Sequence, residues 1–262
     1  MKGRILAVSG SDSGGGAGVE ADIKTATALG AYAATAITAL TAQNTLGITA
    51  IHPVPPDFVT RAMASVLQDI GADAIKTGML HGAATVAAVA DMLERYAPDI
   101  PLVIDPVMVS SSGTRLLSED AIDILIHRLI ARAAVITPNI PEAAILLGRP
   151  IDGLAAMQQA AADLRGLGAR VAVVTGGHLA GATVHDVIAD ADGVTLLTAP
   201  RLDTGATHGT GCTFATAAAV GLAQGLAPRD AIARAHAYVH AAIRAAPGFG
   251  RGNGPLNHAI TL

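Results

Sequence analysis

The chain of 262 residues is long enough to bury a full core, as one large α/β domain or two smaller ones. It is 51% hydrophobic but only 2% aromatic, which suits Ala-, Val-, Ile- and Leu-rich helices packed on buried parallel strands. A net charge of −4 with no Lys/Arg run argues against a nucleic-acid partner, and the single cysteine excludes an internal disulfide, which fits a reducing cytoplasm.

The first strand is predicted over 4–8 (RILAV). Its apolar run is too short for a signal peptide, so a soluble cytoplasmic protein with no membrane partner is expected. GSDSGGGAG (10–18) follows, ahead of a helix near 17–29. It is no Walker A loop, because no Gly-Lys-Ser/Thr closes it. It is no GxGxxG either, because the third required position is Val19. As a strand-to-helix turn it offers free backbone N–H groups to a small substrate or phosphate; the alternative is a flexible turn.

The next strand, 33–40, runs into TAQNT. The Gln43 amide holds a donor beside an acceptor, complementary to an aminopyrimidine's amino group and ring nitrogen. A turn residue bonded to backbone is the other reading, and the residue alone does not decide. After a helix over 56–70 come a strand over 73–77 leading into KTGML, a helix over 82–96 and a strand over 101–105 ending at Asp105. A helix over 119–131 precedes the strand 134–137, which leads into TPNIPE. Asn139 and Glu142 there, with Asp105 on a neighbouring strand end, form a set able to hold Mg²⁺ directly or through water. The plainer reading of Glu142 is an exposed acid offsetting a helix dipole, with Pro141 at the first helical position.

A helix over 154–167, a strand over 171–175 ending in TGGH, and a hairpin over 183–198 turning at Asp192-Gly193 complete the alternation. Helices over 211–224 and 229–245 close the chain. The first opens on HGTGC. Its N-terminus offers unpaired N–H groups and positive partial charge to a phosphate. A cysteine there is expected to have a depressed pKa, so that Cys212 could take a proton from an attacking hydroxyl. A zinc role is disfavoured, since no second cysteine exists. His236 and His240 lie one helical turn apart, read as packing or surface residues.

Alternating strands and helices imply a mainly parallel sheet covered on both faces, and no linker divides 1–262, so a single domain is expected. Five unusual loops would then line the carboxyl edge of the sheet, where ligands bind in open parallel sheets.

In order along nearly the whole chain, GSDSGGGAGVEADIKT, TAQNT, KTGML, DPVMV, TPNIPEA, GGH, THGTGCTF and GNGPLNH resemble the hydroxymethylpyrimidine/phosphomethylpyrimidine kinases of thiamine biosynthesis. The resemblance implies a ribokinase-like three-layer α/β/α fold and an ATP- and Mg²⁺-dependent kinase. It would phosphorylate 4-amino-5-hydroxymethyl-2-methylpyrimidine and then its monophosphate. Carried over by position, Gln43 reads the pyrimidine, and Gly10, Asp22, Met79 and Val107 are pocket residues. Asp105 and Glu142 serve the metal. Asn139 and Thr175 serve the nucleotide, and Gly209, Thr210 and Gly211 form the anion hole. Cys212 stands where many relatives carry a catalytic Asp. Thr175 replaces a frequent Lys, Ala206 a frequent Asn, and Ser110-Ser111-Ser112 a loop that carries Lys in some members. A pyridoxal kinase and a non-catalytic pyrimidine-binding regulator are the rival readings, and the apolar excess points to a homodimer.

Overall fold

A computed structural model describes residues 1–110 and 113–260. One nine-stranded sheet runs through it, in the order β3-β2-β1-β4-β5-β6-β7-β8-β9. The strands are β1 (Arg4–Asp12), β2 (Tyr32–Asn44), β3 (Gly47–Pro53), β4 (Ala74–Thr77), β5 (Leu102–Ile104), β6 (Val135–Ile136), β7 (Val171–Val174), β8 (Thr183–Asp190) and β9 (Gly193–Pro200). From β2 through β7 every neighbouring pair is parallel. The antiparallel strands β3, β8 and β9 lie at the two edges.

Helices cover both faces. Neighbouring residues of β1 serve opposite layers: Leu6 and Val8 pack into one core, Ile5 into the other, as the two-residue period of a strand requires. The first core is closed by α2 (Pro56–Ser65), α3 (Ala83–Tyr96), α4 (Asp120–Ile124), α5 (Ile140–Leu147) and α6 (Gly153–Gly166). The second is closed by α1 (Gly18–Ala28), α7 (Thr210–Ala223) and α8 (Pro228–Arg244), with Phe214 and Tyr238 as its aromatic residues. This is the expected three-layer α/β/α arrangement. Among the described residues, no helix is long and apolar enough to cross a membrane.

Two elements go beyond the sequence-based strand and helix spans. β3 is an edge strand with no fully buried residue, so it lacks the apolar alternation that marks a half-buried strand. α5 has eight residues and starts directly behind β6, too short for a helical period to stand out. The helical runs over 56–70 and 119–131 exist but pass into wider π turns, at Val66–Ile70 and Leu125–Leu129, the second followed by a tighter 3-10 turn at Ile130–Arg132.

Candidate active site

Because β1, β4, β5, β6 and β7 are parallel, their carboxyl ends deliver Gly10, Met79, Asp105, Thr137 and Thr175 to one edge of the sheet. The N-terminus of α7 meets them there. A cavity of about 260 Å³ lies among these groups. A second, of about 440 Å³, adjoins it, and the two share Asn139, Thr175, His178, Thr207, Thr210 and Gly211 as walls. Gly10, Gln43, Met79, Val107, Asp105, Glu142 and Cys212 all line the first cavity. Ser110 lines it too; Ser111 and Ser112 lie outside the described residues.

Gly209, the cap residue just before α7, has a left-handed φ of +86°. The first ladder bond runs from Thr213 N to Gly209 O at 2.9 Å, so the N–H groups of Gly211 and Cys212 precede the ladder and point out of the helix end. A side chain at 209 would collide with the Gly16 carbonyl, 1.8 Å from an added Cβ. The two glycine loops therefore touch backbone to backbone.

Asp22 is not on the cavity wall. It is fully buried, 2.9 and 3.1 Å from Lys76 Nζ, and its Oδ1 also accepts from the Thr216 hydroxyl at 2.6 Å. Its expected place in the pocket is thus corrected: it holds a buried cation beneath the site. Lys76 is fully buried as well. Burial opposes its charge, but the carboxylates, Asp22 first, prevail and hold it protonated. The sequence carried a signal for this pair, a lysine in the middle of a short predicted strand, though nothing in it named the partner.

The expected depressed thiol is also overturned. Burial pushes the Cys212 thiol up, and Asp105 and Asp22 add to that, against the opposing pull of Lys76 and a hydrogen bond with the Gly18 backbone. The helix N-terminus does not prevail over removal from water beside two carboxylates.

Glu142 and Asn139 form a reciprocal cap on α5: Glu142 N donates to Asn139 Oδ1 and Asn139 N to Glu142 Oε2, both at 2.9 Å. The acid offsetting the helix start is therefore real, but it is buried rather than exposed, and it faces the cavity. Burial, then the charge of Asp105, pushes Glu142 up to about 8; burial pushes Asp105 up to about 6, with Lys76 opposing. Asp105 Oδ2 is buried with no hydrogen-bond partner. Two buried carboxyl groups close enough for the charge of one to raise the other, one of them with an orphaned oxygen, fit a divalent cation. Among the described residues no group of three His, Cys, Asp or Glu side chains converges on a metal position, so the protein alone builds no closed metal cage.

This pair gives a pH prediction. Glu142 holds its proton more tightly when folded, so it favours the folded state below the unfolded carboxyl pKa and loses that contribution as pH rises through about 8. In metal-free buffer without nucleotide, wild-type stability is expected to fall between pH 5 and pH 8, by at most about 1.4 kcal/mol per unit for one proton. Glu142→Gln should flatten the slope in urea melts across that range; an unchanged slope would remove Glu142 as its source.

Thr175 lines both cavities without a charge, its backbone N donating to Pro138 O at 3.0 Å. The cation on the second cavity's wall is Arg201, anchored to the carbonyls of Gly181 at 2.7 Å and Gly177 at 3.0 Å. His236 bonds Asp186 through Nδ1 at 2.7 Å, and His240 bonds Pro200 O at 2.9 Å, so the two are not a metal pair. Gln43 is half-buried, and its amide lies among side chains rather than backbone: Thr41 Oγ1 at 3.3 Å and His208 Nε2 at 3.2 Å. Asp12, missed by sequence reasoning, joins them through His208 at 2.8 Å.

The sequence profile of the phosphomethylpyrimidine kinase family matches residues 12–257. The chain is 48% identical over 99% of its length to the thiamine biosynthesis bifunctional protein ThiED of Geobacter sulfurreducens, of which it spans 53%. It is 46% identical to the hydroxymethylpyrimidine/phosphomethylpyrimidine kinase of Rhizobium meliloti, covering 97% of this chain and 96% of that one. Among solved structures, an ADP complex of Bacillus subtilis pyridoxal kinase superposes with a TM-score of 0.92 at 33% identity, covering 99% of this chain and 98% of that one.

Proposed function

This chain belongs to the phosphomethylpyrimidine kinase family, and on that premise we propose that it transfers the γ-phosphate of ATP to 4-amino-5-hydroxymethyl-2-methylpyrimidine, and then to its monophosphate, for thiamine biosynthesis. The observation carrying this reading is the meeting of two cavities at the open N-terminus of α7. The aminopyrimidine occupies the first cavity, against Gln43, Gly10, Met79 and Val107. ATP occupies the second, its terminal phosphate reaching Thr210 and Gly211 at the shared wall.

The Gly211 and Cys212 N–H groups receive charge on the transferring phosphate without reorganising. Positioning and charge stabilisation carry most of phosphoryl transfer, whose transition state is largely dissociative. As the thiolate, Cys212 accepts the proton of the substrate hydroxyl while the new O–P bond forms and the γ-phosphate's bond to the departing ADP breaks. Asp105 and Glu142 would hold Mg²⁺, which when bound would neutralise charge on the phosphates. With Thr175 in place of a lysine, that neutralisation rests on the metal, the anion hole and Arg201. The reading includes one kinase domain over 1–262, a homodimer and a cytoplasmic location.

The test is ATP consumption by the purified protein with the aminopyrimidine, its monophosphate and pyridoxal side by side. Turnover of the first two well above pyridoxal is expected; no turnover with any of them would favour a non-catalytic pyrimidine binder. The second reading, a pyridoxal kinase, draws on the close likeness to the Bacillus subtilis enzyme. Gln43→Leu separates them. Pyridoxal has no amino group beside its ring nitrogen, so the substitution should cost the aminopyrimidine about tenfold or more in kcat/KM and pyridoxal little. Equal losses would remove Gln43 as the pyrimidine reader.

A further inference from the structure

Asp12, Gln43 and His208 close one wall of the first cavity. Asp12 Oδ1 accepts from Gly14 N at 2.7 Å, and Oδ2 accepts from Gly16 N at 3.0 Å and Ala17 N at 2.9 Å. A side chain held by three backbone N–H groups is an ionised carboxylate with no hydrogen to give. His208 Nε2 lies 2.8 Å from the same Oδ2, so Nε2 carries the hydrogen and donates it. The ring has little room to turn away, since a Cβ on Gly16 would lie 2.6 Å from His208 Cδ2.

This fixes the Gln43 amide, whose oxygen and nitrogen are told apart only by their partners. With Gln43 Nε2 facing His208 Nε2 at 3.2 Å, donor would meet donor. At the other end, Oε1 would face Thr41 Oγ1 at 3.3 Å, yet that hydroxyl's single hydrogen goes to Ser11 O at 2.9 Å, so acceptor would meet acceptor. Turning the amide end for end removes both conflicts. Oε1 then shares the His208 Nε2–H with Asp12 Oδ2 in a three-centre bond, and Nε2 donates to Thr41.

We propose that Asp12 and His208 are specificity-determining residues that orient the Gln43 amide, oxygen toward His208 and nitrogen toward Thr41, and thereby set which way round an aminopyrimidine binds. The proposal rests on the reading that the pyrimidine lies against Gln43. The ring's amino group then meets Oε1 at the His208 end, and its ring nitrogen meets Nε2–H at the Thr41 end. The ring carbon bearing the hydroxymethyl group is the amino-bearing carbon's other neighbour, so that group projects past the amino group toward His208 and Gly209, where α7 would receive phosphate. The opposite amide orientation would seat the ring with its hydroxymethyl group away from the anion hole.

The experiment has a ligand-free arm and a kinetic arm. In ¹⁵N-labelled protein without ligand, His208 is expected as the Nε2–H tautomer; an Nδ1–H tautomer overturns the proposal. In kinetics, His208→Leu removes the donor, whereas His208→Gln places an amide N–H where Nε2 was. His208→Leu should raise the KM for the aminopyrimidine about tenfold, with the KM for ATP moving far less, and His208→Gln should recover most of that loss. Equal behaviour of the two variants overturns the proposal. If Gln43→Leu leaves the aminopyrimidine KM unchanged, the specificity claim falls with its premise, and the tautomer result distinguishes that failure from one at His208.

Discussion

Gly209→Ala is expected to lower kcat by about 10²- to 10³-fold while the protein still folds, the loss typical of a disabled oxyanion-type donor set. The reason is local and steric. Residue 209 sits at φ +86°, a conformation costing a residue with a Cβ about 1–2 kcal/mol. The added carbon would also lie 1.8 Å from the Gly16 carbonyl and 3.2 Å from the Ala17 Cα, so one loop must retreat. Either retreat turns the Gly211 and Cys212 N–H groups away from the phosphate, and chemistry suffers more than stability. Single-turnover kinetics with a melting curve on the same sample makes the check. A kcat within threefold of wild type would show that the α7 N-terminus does not cradle the transferred group.

Cys212→Ala should lower kcat by about 10²-fold, the low end of general-base contributions, because proton transfer is a minor part of a dissociative phosphoryl transfer. The aminopyrimidine KM should change little. The structure adds a pH signature to this expectation. Burial raises the free enzyme's thiol rather than lowering it, so wild-type kcat/KM should keep climbing on the alkaline side. Cys212→Asp should recover part of the loss and remove that climb, since a carboxyl in the same place ionises at a far lower pH than the thiol. A Cys212→Ala enzyme with near-normal turnover, or a Cys212→Asp profile as steep as wild type, would exclude the thiol as base. Single-displacement kinetics should also hold, since a covalent phosphocysteine would give ping-pong behaviour.

The parallel strands and most helices were legible because buried α/β elements write their burial as apolar runs and helical periods. β1 reads as RILAV, and Leu6, Val8 and Ile5 do fill the two cores. The site's outline was legible for a related reason: glycines, Asp105, Asn139 and Glu142 break that pattern where strands end, and a parallel sheet gathers those ends at one edge. β3 was not legible, since an exposed edge strand has no buried alternation to betray it. Asp22 was misplaced because sequence order shows a carboxylate on a glycine-loop helix but not the lysine on β4 that draws it inward.

The sequence by itself determined the layered α/β fold, the family pattern and the set of residues at the carboxyl edge of the sheet, because each is fixed by local periodicity or by residue type at a strand end. Only the tertiary structure decided how those residues behave. It put Cys212 beside Asp105, where removal from water outweighs the helix end, and it put Glu142 where it caps α5 and where the charge of Asp105 helps hold its proton. It also brought His208 against Asp12, 196 positions away in the chain, so that one hydrogen bond orients the Gln43 amide. Such properties depend on desolvation and on which donor meets which acceptor, and both are set by distances between segments that the order of residues does not contain.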